Sequence, residues 1–381
     1  MTLSFLDLPI AKAALSRRCL SAAALLALAA LPLSAGAPTS GSKDIRLSSN
    51  ENAFGYSPKA LAKLKEVLDS GNYYNHNESG ELVKLCAAHE GVPEDFILPT
   101  PGSGPVLLMT AAAYAKPGVN VVTSAPGYPQ LTGAFANHGG EVKYVPVKSD
   151  YGQDFKAMLA AIDAKTAIVY VCNPNNPTGV LADPDELRRF VFAVPKDVLV
   201  FVDEAYLELS DKGLPANTMS AFVKARKNLI VSRTFSKGYG MAGIRVGYGI
   251  ANPEVLEKLK RFYMGPPSYL ASIAGQEALK DQAFLELNRK HYREVRDYVC
   301  KEFDKMGIKY ASPQGAFIYF RTQFKGTELV AKLKQSGVLI TRFPTPGVPE
   351  GSWEDWSRVS LGTKEDMDIF LGELAKALGK T

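Results

Sequence analysis

Cysteine, histidine and tryptophan are scarce in this chain of 381 residues, at 4, 4 and 2. Apart from Cys19, which lies in an N-terminal stretch of separate character, the thiols are Cys86, Cys172 and Cys300. An odd number at those spacings matches no metal framework and allows one disulfide at most. The histidines His76, His89, His138 and His291 are scattered, and neither H-E-x-x-H nor C-x-x-C occurs, so no metal centre is expected. Long blocks of like charge are also missing. The formal net charge is +5, from 44 Lys and Arg against 39 Asp and Glu, which offers no footprint for nucleic acid. The apolar runs fall short of the roughly 20 residues a membrane-spanning helix needs. No internal repeat is visible.

What is present is an ordinary globular composition, 46% hydrophobic with 32 Gly and 24 Pro. The length suits about two to three domains. Residues 1–37 differ from the rest: Lys12, Arg17 and Arg18 precede a small and apolar run over 21–33 that ends in Ala35-Gly36-Ala37. This pattern reads as a secretory signal. Within it Ser16-Arg17-Arg18-Cys19-Leu20 resembles the twin-arginine export motif, although Leu20 stands where Phe is more usual and no Lys follows. The expectation is a periplasmic protein exported after folding.

Beyond residue 102, short β-branched runs alternate with amphipathic helical patterns. Strands are expected over 120–123, 142–147, 167–172, 198–203, 229–231 and 246–251, with helices such as 154–162 and 184–192 between them. That alternation predicts an α/β fold: a mostly parallel sheet flanked by helices, with ligands at the carboxyl ends of the strands. After Pro266-Pro267 the pattern changes to a long charged helix over 281–306, strands over 316–321 and 337–341, and a closing helix from Lys364. The division expected is a signal over 1–37, an N-terminal segment over 38–65, a large domain over 66–262 and a smaller α+β domain over 263–381.

The most informative stretch is Thr234-Phe235-Ser236-Lys237-Gly238-Tyr239-Gly240, with Arg245 eight residues beyond the lysine. A lysine among small residues at a strand's carboxyl end can be desolvated, and an amine of lowered pKa forms Schiff bases. Alone, the pattern equally suits a surface lysine in a Gly-rich turn. Its company narrows the reading: Asn173-Pro174-Asn175-Asn176-Pro177-Thr178-Gly179 follows one predicted strand and Asp203-Glu204-Ala205-Tyr206 the next. Near the start stands Ser48-Ser49-Asn50-Glu51-Asn52. Together these motifs resemble the fold-type I pyridoxal-phosphate aminotransferases of class I and II, and within them the histidinol-phosphate aminotransferase subgroup, over residues 47–378.

The resemblance implies a cofactor, pyridoxal 5'-phosphate, and a task for each matched residue. Lys237 would hold the cofactor as a Schiff base and then move a proton. Asp203 would keep the pyridine nitrogen protonated, although by itself it also reads as a helix N-cap. Asn176 and Tyr206 would hydrogen-bond the ring oxygen, and Tyr128 would stack on the ring. Gly102, Ser103 and Gly104 ahead of a helix, with Thr234, Ser236 and Arg245, would cradle the phosphate. Tyr74 would reach the phosphate of a neighbouring subunit, which makes a homodimer with a shared site part of the expectation. Arg358, in Trp356-Ser357-Arg358-Val359-Ser360-Leu361-Gly362-Thr363, would bind the substrate's α-carboxylate, and Asn52 would close the substrate pocket.

Departures bear on the substrate. The subgroup usually carries a longer N-terminal arm with a tyrosine, and Ala-Asn-Phe where this chain has Gly315-Ala316-Phe317. Gly104-Pro105 replaces an acidic pair, so phosphate anchoring there relies on backbone donors. The expectation is therefore transfer of the amino group of an L-amino acid to a 2-oxo acid. The alternatives are a histidinol-phosphate aminotransferase proper, a decarboxylase, lyase or racemase on the same fold, and a periplasmic protein that binds the cofactor or an amino acid without turnover.

Overall fold

The computed structural model describes residues 44–344, 346–349 and 351–380. The expected signal over 1–37 lies outside them. In chain order the strands are β1 (Ile45–Arg46), β2 (Ile97–Thr100), β3 (Asn120–Ala125), β4 (Glu141–Pro146), β5 (Thr166–Cys172), β6 (Leu199–Asp203), β7 (Leu229–Thr234) and β8 (Gly247–Ala251). They continue as β9 (Lys309–Tyr310), β10 (Phe317–Arg321), β11 (Val338–Leu339) and β12 (Trp356–Ser360).

Seven of these strands form one sheet in the order β2-β8-β7-β6-β5-β3-β4. The pairings β4–β3–β5–β6–β7 are all parallel, while β8 runs antiparallel to both β7 and β2. Two antiparallel pairings in succession make β2 parallel to β7. The carboxyl ends of β2, β3, β5, β6 and β7 thus share one edge with the amino end of β8. Strands β5, β6 and β7 are buried on both faces, as Val, Ile, Leu and Phe runs of covered parallel strands should be. Helices on the two faces supply the cover. In Pro184–Ala193, Asp183 caps the amides of Asp185 and Glu186, and Pro184 takes the first helical position.

The second core gathers around β10, flanked by β12 and β9 in a three-stranded antiparallel sheet. Against it pack Tyr292, Val295, Val299 and Phe303 from the helix Gln282–Lys305, and Met367, Phe370 and Leu374 from Lys364–Leu378. The strand expected over 337–341 is only Val338–Leu339, paired with β1, plus one isolated bridge from Thr341 to Arg358. Leu47 belongs to this second core, so the described residues start there before the chain crosses to the large sheet. Helix Tyr269–Lys280 lies beyond the boundary expected at 262, yet Ala271, Ala274 and Ala278 sit in the large-sheet core.

Candidate active site

The shared carboxyl edge of the large sheet frames a cavity of about 320 Å³. It is lined by Ser103, Gly104, Tyr128, Gln130, Cys172, Asn176, Asp203, Tyr206, Thr234, Ser236, Lys237 and Arg245, among others. Most of the residues singled out by motif therefore meet in one place, because each follows a strand that ends on that edge. The volume falls within the roughly 300–1,000 Å³ typical of small-molecule sites.

Lys237 follows β7. Its Nζ donates to the carbonyls of Asn50 and Ser49 at 3.0 and 3.2 Å and lies 5.6 Å from the centre of the Tyr206 ring. Burial, together with the nearby Arg358 cation, lowers its amine to about 8. Asp203 ends β6, 2% exposed, and accepts from Ser232 Oγ at 2.9 Å and Tyr170 Oη at 3.4 Å. Burial pushes its carboxyl up to about 6 against those donors. It caps no helix: the next helical turn is Leu207–Leu209, and the residue at its N-cap is Tyr206.

At the other end of the cavity, Arg245 donates from Nη1 to Ser236 Oγ at 3.3 Å and to the Ala242 carbonyl at 2.8 Å. Thr234 Oγ1 donates to Ser236 Oγ at 2.9 Å. Arg245 holds a φ of 66°, a strained value for a side-chain-bearing residue. Gly102 does not line the cavity, but a Cβ there would collide with the Arg245 guanidinium. Ser103 and Gly104 open the helix Gly104–Tyr114, whose first turn presents its positive end to the same space. Gln130 joins the lining by accepting from Tyr128 Oη at 3.1 Å.

Arg358 comes from β12 in the second core. Its Nη1 donates to Asn176 Oδ1 at 2.8 Å and its Nη2 to the Ser48 carbonyl at 2.9 Å. The guanidinium lies between the Phe317 and Phe343 rings, 5.4 and 5.1 Å from their centres. With Oδ1 engaged, the Asn176 amide NH₂ is turned away from the arginine. Asn52 braces the lysine turn from behind, donating to the carbonyls of Lys237 and Gly238 at 3.2 and 3.4 Å. Tyr74 stands apart. It is 96% exposed and lines a different surface hollow with Tyr73, Met264 and Pro267.

Three contributors had no motif to announce them, and a fourth, Ser360, stands in the Arg358 motif without a role of its own there. Tyr170 and Ser232 lie inside strands, Gln130 starts a helix, and Ser360 reaches Asn50 across 310 positions of sequence. For Tyr170 and Ser232, alternation along a buried strand is the only local signal.

Comparison with known proteins agrees with this geometry. The family model described as aminotransferase class I and II matches residues 42–374. A histidinol-phosphate aminotransferase of Moorella thermoacetica is 35% identical over 342 residues, covering 89% of this chain and 86% of that protein. The crystal structure of histidinol-phosphate aminotransferase from Sinorhizobium meliloti in complex with pyridoxal-5'-phosphate superposes with a TM-score of 0.80 at 26% identity, covering 88% of this chain and 91% of that one. The fold alone is shared with L-threonine-O-3-phosphate decarboxylase of Porphyromonas gingivalis, at 23% identity and a TM-score of 0.75 over 88% of this chain and 99% of that one. A match that spans both cores and every strand end of the cavity settles the family: this chain belongs to the class I and II aminotransferases.

Proposed function

We propose that this protein moves the amino group of an L-amino acid to a 2-oxo acid, with Lys237, Asp203 and Arg245 serving the cofactor and Arg358 the substrate. The protein is a pyridoxal-phosphate-dependent aminotransferase. One observation carries the assignment of roles. A buried carboxylate that has no cationic hydrogen-bond partner among the described residues, an amine of lowered basicity and an arginine with two hydroxyls line one cavity.

Those groups fit the cofactor's three ends. Asp203 suits a protonated ring nitrogen, and a cation beside it would return its carboxyl toward the ordinary range. Arg245, Thr234, Ser236 and the start of Gly104–Tyr114 suit a phosphate dianion. Asn176 and Tyr206 would donate to the ring oxygen. When bound, pyridoxal phosphate supplies an electron sink for the pair released at the substrate's Cα. Lys237 would link the cofactor and, once displaced by the substrate amine, take up the proton from the substrate's Cα and deliver it to the cofactor's C4′. Arg358 would hold the α-carboxylate in plane, and charge pairing there opposes its loss as carbon dioxide, which favours transamination over decarboxylation.

Histidinol phosphate is the second reading, favoured by the named activity of the relatives at 33–36% identity. Ala316 tells against it, being buried at the position where an amide side chain would be expected. Incubating purified protein with single L-amino acids or histidinol phosphate, each with 2-oxoglutarate, and measuring the glutamate formed separates the two. Exchange with L-amino acids is expected; exchange with histidinol phosphate alone would select the second reading.

A homodimer and export belong to the same proposal. Tyr74 would serve the partner's phosphate site, and its exposure on this chain supports that reading. The basic residues Arg17 and Arg18 and the apolar run after them support export by the twin-arginine route. Export lost on replacing both arginines by lysine would support it.

A further inference from the structure

Asn50 has no role in the account above, yet all four of its polar groups are engaged. It is 2% exposed and holds a φ of 53°, in the left-handed region where asparagine is enriched. Its N–H donates to Ser360 Oγ at 2.7 Å, and Ser360 Oγ donates to its Oδ1 at 2.8 Å. Its Nδ2 donates to Tyr206 Oη at 2.9 Å, and its carbonyl accepts from Lys237 Nζ at 3.0 Å.

The network fixes a direction. The Ser360 hydroxyl accepts the Asn50 N–H and gives its single proton to the Asn50 side chain. The group facing Ser360 is therefore the amide oxygen, and the NH₂ faces Tyr206. An amide NH₂ only donates. Tyr206 Oη must accept from it, which leaves the phenol's own proton for an acceptor elsewhere, and Tyr206 lines the cavity.

We propose that Asn50 is a positioning residue: by donating to Tyr206 Oη it aims the phenol proton into the cavity at the ring oxygen of the cofactor, with Ser360 holding the amide in that sense. The inference rests on pyridoxal phosphate occupying the cavity as proposed above. It also ties the phenol to the substrate strand, since Ser360 lies two residues beyond Arg358 on β12.

Asn50→Asp tests it, because aspartate tolerates the same backbone conformation but its carboxylate accepts where the amide donated. The Tyr206 proton would then turn to the carboxylate. A donor to the ring oxygen stabilises its negative charge and so eases removal of the proton shared with the lysine-linked nitrogen. In a pH titration of the bound cofactor's visible absorbance, Asn50→Asp and Tyr206→Phe should each raise the midpoint, by about one unit, the size expected for a lost charge-assisted hydrogen bond. In the Tyr206→Phe background, the shift from Asn50→Asp should shrink to less than half. An equal shift in both backgrounds, or none in either, would overturn the proposal. Should Asn50→Asp not fold, Ser360→Ala releases the amide and should raise the midpoint only when Tyr206 is present; a titration identical to wild type would refute the proposal equally. Wild-type protein that forms no cofactor band would instead refute the cofactor reading on which it rests.

Discussion

Asp203 and Arg358 make opposite demands on the folded chain, and each yields a prediction. Burial raises the Asp203 carboxyl to about 6, above its unfolded value near 4. A raised carboxyl contributes stability below the unfolded value and loses it as pH rises through the folded one. Without cofactor, wild-type protein should therefore lose on the order of 3 kcal/mol relative to Asp203→Asn between about pH 4 and 7, by urea unfolding. Glu204 and Glu208, both raised by burial to about 7, are common to the two proteins and cancel in the difference. Added pyridoxal phosphate should flatten the slope. Arg358→Lys keeps the charge but loses the planar fork, so substrate binding should weaken by about 1.5–3 kcal/mol, similarly for every amino acid tried, while the cofactor's absorbance is unchanged. A mutant that discriminates among side chains but binds its best substrate normally would place Arg358 in the side-chain pocket. The motif-bearing residues were legible because chemistry restricts their types at strand ends. Tyr170 was not, and Asn50 and Ser360, although they stand in quoted motifs, were given no role, because the roles of all three arise from contacts between distant segments that no local pattern encodes.

At the level of elements, buried charge fastens the catalytic edge. Arg233, 1% exposed on β7, pairs with Glu90 at 3.1 Å and Glu204 at 2.7 Å, joining the end of helix Asn77–Glu90 to the loop that follows Asp203. The Glu204 contact lies off the line of the N–H, so it acts as charge attraction more than as a directed hydrogen bond. Burial alone would raise Glu90, but Arg233 and the hydroxyls of Ser220 and Tyr248 hold it below the usual range. Arg233→Met strands those carboxylates and should cost about 3–5 kcal/mol by urea unfolding, with part recovered by adding Glu90→Gln. An unchanged midpoint would mean that the pair contributes nothing net. Parallel strands were read from sequence because burial on both faces makes them continuous apolar runs. Strand β2 was missed because Pro99 breaks that signal, which its place at the sheet edge allows. Helix Gly104–Tyr114 was read only from the Gly-Ser-Gly that precedes it, because it is apolar nearly all round and leaves no period to detect.

For the whole molecule, Tyr73, Tyr74 and Met264 are 70%, 96% and 99% exposed beside one hollow, an apolar surface that suits cover by a second copy. The protein should sediment as a dimer. Tyr74→Phe should weaken cofactor binding about tenfold or more through the partner's phosphate site, the loss expected for one hydrogen bond to a charged group. Unaltered affinity would remove Tyr74 from the site. The account depends most on Lys237 being the point of attachment, since the amine's burial, its neighbours and the cavity are all read through it. Borohydride reduction of the protein saturated with pyridoxal phosphate, followed by mass mapping of its peptides, addresses that directly. The account predicts a single stoichiometric adduct on Lys237; an adduct on another lysine, or none, would contradict it.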